Sequence, residues 1–94
     1  MENAYKHLVN YMLKKGYTIS VFDGEEWQVK RSTKQKDIIE AVESVEEAQL
    51  RVRDSEGNKI AWAFVIPFGV EPDETIADYS DNELMREWNE EFYK

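Results

Sequence analysis

The residues able to do chemistry are few. The chain holds one histidine, His7, and no cysteine. On a helix, the positions three and four residues either side of His7 carry no carboxylate. A metal site needs several converging ligands, and a nucleophilic triad needs a base and an orienting partner. His7 is therefore expected as a histidine on a helix surface. Without cysteine there is no disulfide, no thiolate ligand and no thiol nucleophile. Asp78-x-Ser80-x-Asn82 resembles the start of a calcium loop, but that loop requires glycine at its sixth position and glutamate at its twelfth. This chain has Glu83 and Asn89 there, so the same residues are expected to cap a helix. The carboxylate pairs Glu46-Glu47, Asp73-Glu74 and Glu90-Glu91 suit a solvated surface better than a glycosidase cleft, which sets two carboxyl groups across a substrate. The four glycines, at 16, 24, 57 and 69, form no phosphate-binding loop. No enzyme, metal or cofactor is expected.

What remains is charge. The formal net charge is −8, which repels nucleic acid as a whole and favours solubility. It is polarised. Residues 1–36 hold seven Lys/Arg against four Asp/Glu, a balance of +3, and residues 37–94 hold five against sixteen, a balance of −11. Lys30, Arg31, Lys34 and Lys36 precede and enter an expected helix, whose free N–H groups can attract an anion. Glu71, Asp73, Glu74, Asp78, Asp81 and Glu83 form the opposite concentration. Asp81 and Glu83 suit a helix start. The others lie in a long connection beside Phe68 and Tyr79, where negative charge can steer a basic partner and aromatic residues can anchor it.

The elements that position these residues follow from periodicity. Tyr5, Leu8, Val9, Met12 and Leu13 recur at helical spacing, which predicts a helix over 3–15 with Gly16 just beyond it. Two strands follow, alternating about Tyr17, Ile19 and Val21 and then Trp27 and Val29, with Asp23-Gly24 between them. A loop that sets Val21 opposite Trp27 keeps the apolar residues on one face. Ser32-x-x-Gln35 predicts a capping box opening a short helix that ends near Ser44. Leu50 and Val52 begin a second hairpin, whose 54–57 turn gives Gly57 the left-handed position. Setting 54 opposite 58 pairs Val52 with Ile60, Leu50 with Trp62 and Ala48 with Phe64. The opposite face then shows Arg51, Arg53, Ala61 and Ala63, a surface of little bulk that a partner or second copy would cover. Residues 67–79 are expected as an acidic connection. Ser80-x-x-Glu83 predicts a second capping box before a helix that buries Leu84, Met85, Trp88 and Phe92. The expected fold class is α+β in the order α-β-β-α-β-β-α, a single domain over 1–94 with a four-stranded antiparallel sheet and helices packed on one face.

The longest apolar run, residues 60–66, is too short to span a membrane, and the first residues carry no secretory pattern. The stretch Asn58-Lys-Ile-Ala-Trp-Ala-Phe-Val-Ile66, with Asp73-Glu-Thr-Ile-Ala-Asp-Tyr-Ser-Asp-Asn82, resembles small accessory proteins of tailed bacteriophages over the C-terminal half. That resemblance implies a bacterial cytoplasm and a role in binding host proteins, and it supplies no catalytic residues. The expected function is a small acidic protein-binding module, a phage-encoded inhibitor or modulator of a host protein, working as monomer or homodimer. Its contact residues would be Phe68, Glu71, Asp73, Glu74, Asp78 and Tyr79. Two alternatives are a DNA mimic directed at a nucleic-acid-binding protein and a weak binder of anions or nucleic acid through Lys30, Arg31, Lys34 and Lys36.

Overall fold

The computed structural model describes residues 3–68 and 75–93. Three helices and five strands follow in the order α1 (Ala4–Lys14), β1 (Thr18–Phe22), β2 (Trp27–Ser32), α2 (Gln35–Glu43), β3 (Ala48–Arg53), β4 (Lys59–Val65), β5 (Ile76–Tyr79) and α3 (Glu83–Phe92). The fold is α+β, and the strands form one antiparallel sheet in the order β2-β1-β3-β4-β5. The sheet has five strands rather than the four expected. Residues 76–79 lie inside the stretch read as a connection, because Ile-Ala-Asp-Tyr is too short and too mixed to show an alternating pattern. The free edge of β4 recruits it. Ile66 N–H donates to the Thr75 carbonyl at 2.7 Å and Ser80 N–H to the Trp62 carbonyl at 3.0 Å, one bond at each end of the added strand.

The helices begin where side chains satisfy their free N–H groups. Asn3 caps α1 by accepting from Tyr5 N–H. Asn82 caps α3 by accepting from Met85 N–H. Neither expected capping box forms. Ser32 ends β2 and accepts from Lys34 N–H, while Lys34 occupies the cap position of α2 without a side-chain bond. Ser80 bonds to β4 instead. Gly16, at φ +85, takes the left-handed position past α1, as the pattern predicts.

The core lies between the helices and one face of the sheet. Ile19, Val21, Leu50, Val52, Ala61, Ala63 and Val65 from the strands meet Leu8, Val9, Met12, Ile38, Val42, Met85 and Trp88 from the helices. Tyr5 is buried in the same cluster, and its hydroxyl donates to the Glu43 carboxylate, tying α1 to α2. Burial, then the hydrogen bond to Glu43 and the charge of that carboxylate, push the phenol above its ordinary range.

Two hairpin registers differ from expectation, and both differences are bulges. In the second hairpin the turn is as predicted. Asp54 N–H donates to the Asn58 carbonyl, Gly57 sits at φ +88, and Arg53 lies opposite Lys59. One residue later, Ile60 is inserted and Val52 lies opposite Ala61 instead of Ile60. A one-residue insertion turns every following side chain over. Ala61, Ala63 and Val65 therefore enter the core, and Trp62 and Phe64 leave it. The physical reason is depth: α3 packs over β4, and its buried Met85 and Trp88 need the room that two alanines leave. In the first hairpin Trp27 lies opposite Phe22 and Val29 opposite Val21, with Gln28 inserted between them. The expected pairing of Val21 with Trp27 does not form. The bulge, not an odd loop, keeps Val21 and Val29 together, and it turns Trp27 outward beside Phe22.

The irregular residues of the two hairpins are each held by a side-chain bond. Gln28 Nε2 donates to Asp23 Oδ2 at 2.7 Å. Arg31, at a further irregularity in β2 and at φ +48, donates its N–H to Ser20 Oγ at 2.8 Å. The Ile60 carbonyl accepts from Asn82 Nδ2 at 2.6 Å.

Asp23 and Asp54 hold the two hairpin turns. Asp23 accepts from the N–H groups of Glu25 and Glu26, and Asp54 from those of Glu56 and Asn58. These bonds favour the ionised form and depress both carboxyls below their ordinary value of 3.8. A depressed acid contributes stability that is fully present above its unfolded value and is lost as pH falls through its folded value. The thermal midpoint of the wild type is expected to approach that of an Asp54→Asn variant as pH drops below 3.8. A gap between the two that stays constant down to strongly acid pH would refute this role.

Candidate functional site

The helices cover one face of the sheet and leave the other open. The register sets which side chains stand on that open face. Gln49, Arg51 and Arg53 of β3 lie opposite Phe64, Trp62 and Lys59 of β4, and Phe64 lies opposite Asp78 of β5. On the other flank, Phe22 lies opposite both Gln49 and Trp27.

Large aromatic side chains on an uncovered face are the outstanding feature. Trp27 is 38% exposed and Trp62 42%. The Phe22 and Trp27 rings pack at 4.9 Å between centroids. The Arg51 guanidinium lies 6.0 Å from the centre of the Trp27 ring, a cation–π distance. Trp62 is the cross-strand neighbour of Arg51 on the other side, so one arginine stands between two exposed tryptophans. Gln49, Arg51, Trp62, Phe64 and Asp78 line a hollow of about 520 Å³. Aromatic rings, a cation, a carboxylate and a primary amide together make a surface for recognition through contact and hydrogen bonding.

The residues singled out by sequence are not brought together. Asp78 is exposed and stands on the open face. Tyr79 points the other way, against Trp88, with ring centroids 6.1 Å apart, because neighbouring strand residues alternate sides. As a candidate anchor it is thus a core-side residue. Phe68 follows β4 and is 69% exposed. Glu71, Asp73 and Glu74 lie outside the described residues. Lys30 and Arg31 are exposed on β2, whereas Lys34 and Lys36 are exposed at the start of α2. The basic stretch is thereby divided between two elements.

His7 is not simply a surface residue. It is half-buried, and its Nδ1 accepts from the Trp88 indole N–H at 3.0 Å. The Phe92 ring is 5.1 Å away between centroids. This is an aromatic clasp between α1 and α3. Ser80 and Asn82 are likewise engaged, on Trp62, Ile60 and Met85. Among the described residues no three His, Cys, Asp or Glu side chains are placed to hold a metal ion. No described helix is long and apolar enough to cross a membrane.

Sequence reasoning placed Arg51 and Arg53 on an open face correctly but set Ala61 and Ala63 beside them, and so it missed Trp27, Trp62 and Phe64. The available signal was local: Asp23 in the turn can accept from Gln28, the inserted residue of one bulge, but nothing near Ile60 announces the other. No family model matches the chain, and no curated protein and no solved structure shows a significant match to it.

Proposed function

We propose that this protein is a small binding module that occludes part of a protein partner with the open face of its sheet. One observation carries the proposal: Trp27 and Trp62 stand exposed on either side of Arg51 on a face that no helix covers. Tryptophan and arginine are the residues that most often dominate binding energy, and large aromatic surface is rarely left in water without use. Asp78 extends the contact on the β5 side, with Phe68 beyond β4. Glu71, Asp73 and Glu74 would steer the approach of a basic region of the same partner. The role is non-enzymatic, and the phage resemblance makes a host protein in the bacterial cytoplasm the partner. A DNA mimic needs its carboxylates along one elongated face. The described carboxylates are divided among α2, α3, both hairpin turns, the α2–β3 connection and β5, so the geometry favours the aromatic face instead.

The test is comparative capture from bacterial lysate, with three immobilised forms: wild type, Trp27→Ser/Trp62→Ser, and Glu87→Gln/Glu90→Gln on α3. A partner retained by wild type and the α3 variant, and bound at least about thirtyfold more weakly by the tryptophan variant, is expected from the usual energy of such anchors. If all three forms retain the same proteins equally, the open face is not the contact surface.

A further inference from the structure

The open face differs in charge from the rest of the molecule. The five strands hold Lys30, Arg31, Arg51, Arg53 and Lys59 against a single carboxylate, Asp78, a balance of +4 in a chain of −8. The core-facing strand positions carry no charge, so these groups belong to the open face and its edges. None of the five cations forms an ion pair with a described residue; the ion pairs among those residues are Lys6–Glu43 and Arg86–Asp81. The guanidinium of Arg53 donates one bond to the Gly57 carbonyl at 2.9 Å. That of Arg31 reaches the same turn, its Nη1 lying 3.7 Å from where a Cβ on Gly57 would stand. Each retains free donors, since a guanidinium carries five N–H groups.

We infer that the face receives a short acidic segment of the partner protein, with apolar side chains between its carboxylates. This rests on the open face being the protein-binding surface proposed above. The carboxylates meet Arg51 and the Arg31–Arg53 pair, and the apolar side chains lie on Trp27 and Trp62. Arginine is the residue suited to this, because its planar fork holds a carboxylate through two bonds while its face stacks on an aromatic ring.

Two other occupants fit less well. A second copy of this chain, related by a two-fold axis, would set one face of +4 against another, and a head-to-tail contact runs on into a ring or an open chain of copies and not a dimer. A polynucleotide would run past the face. Strands of six or seven residues span only about 20 Å, and carboxylates stand beyond both ends. Glu25 and Glu46 lie at one end, where they line a common hollow, and Asp54 and Glu56 lie at the other. A short anionic segment fits between those boundaries, whereas a continuous phosphate chain meets them.

Tryptophan emission reads occupancy directly, since Trp27 and Trp62 are exposed and Trp88 is buried. The probes are three peptides of about eight residues, long enough to cross the face, alternating leucine with glutamate, glutamine or lysine, and an oligothymidylate of similar length. The glutamate peptide is expected to shift the emission and to bind at least about tenfold more tightly than the glutamine peptide, the size of one charge-assisted contact. Its affinity should fall between about 50 and about 500 mM salt and by a similar factor in Arg51→Gln/Arg53→Gln. The peptide series on the wild type decides the matter even if that variant is unstable. Glutamine or lysine peptide binding as tightly, oligothymidylate binding more tightly, or no response to the glutamate peptide each overturns the inference. If face-dependent capture from lysate persists in that event, the open face is still the contact and only the acidic chemistry of the partner is wrong.

Discussion

Replacing Trp88 by alanine is expected to remove about 3–5 kcal/mol of stability, the usual cost of deleting a buried tryptophan. A chain of 94 residues has about 5–14 kcal/mol in all, so the variant would lose between about a fifth and all of its stability. The reason is the number of elements the ring joins. Trp88 is 2% exposed. It packs parallel to Phe92 at 5.6 Å, meets Tyr79 of β5 edge-on, and donates to His7 of α1. Urea unfolding followed by far-UV circular dichroism measures the loss. Trp88→Phe separates packing from hydrogen bonding. It keeps most of the apolar volume but removes the N–H together with two ring carbons, leaving the half-buried His7 nitrogen without its donor, at about 1–2 kcal/mol for the lost bond. A loss below about 1 kcal/mol for Trp88→Ala would mean that the clasp between α1 and α3 does not hold the fold.

Asn82→Ala is expected to cost about 2–4 kcal/mol, unusually much for a residue at a loop–helix junction. Its side chain has two tasks on opposite sides. The oxygen accepts from Met85 N–H, and losing such a cap costs about 1 kcal/mol. The amide nitrogen donates to the Ile60 carbonyl at 2.6 Å. Ile60 is the inserted residue, so its carbonyl has left the regular ladder, and an unpaired partly buried carbonyl costs about 1–3 kcal/mol. Asn82→Asp distinguishes the two tasks: it keeps the cap and replaces the donor with an acceptor facing the carbonyl. Asn82→Asp should therefore recover little stability over alanine, and both variants should alter the emission of Trp62, two residues from the bulge. Full recovery by aspartate would show that only the cap matters.

Much of the local structure was legible in the sequence. The stripe Tyr5-Leu8-Met12 gave α1 to within a residue at each end, and Gly16 and Gly57 marked the two left-handed positions they occupy. The Met85–Trp88 stripe gave the buried side of α3. The β5 strand was not legible, because four residues of mixed type form a strand only when a neighbouring edge supplies their hydrogen bonds. The acidic stretch drew notice by composition, yet composition says nothing about which side a residue faces. Asp78 and Tyr79 illustrate this, being adjacent in sequence and on opposite faces of the sheet.

By itself, the sequence determined which segments become helices and hairpins, where the turns fall, and that apolar residues would fill one face of a sheet. These are local matters, set by periodicity, by glycine's access to positive φ and by short-range hydrogen bonds such as those of Asp23 and Asp54. Only the tertiary structure decided which face Trp27 and Trp62 take. Alternation fixes the two faces relative to each other, and one inserted residue exchanges them. Whether an insertion occurs depends on distant partners: Asn82 for the Ile60 carbonyl, and the depth that Met85 and Trp88 require over Ala61 and Ala63. The open aromatic and arginine face was therefore written in residues the sequence displays, but its existence as a surface was settled by contacts between segments far apart along the chain.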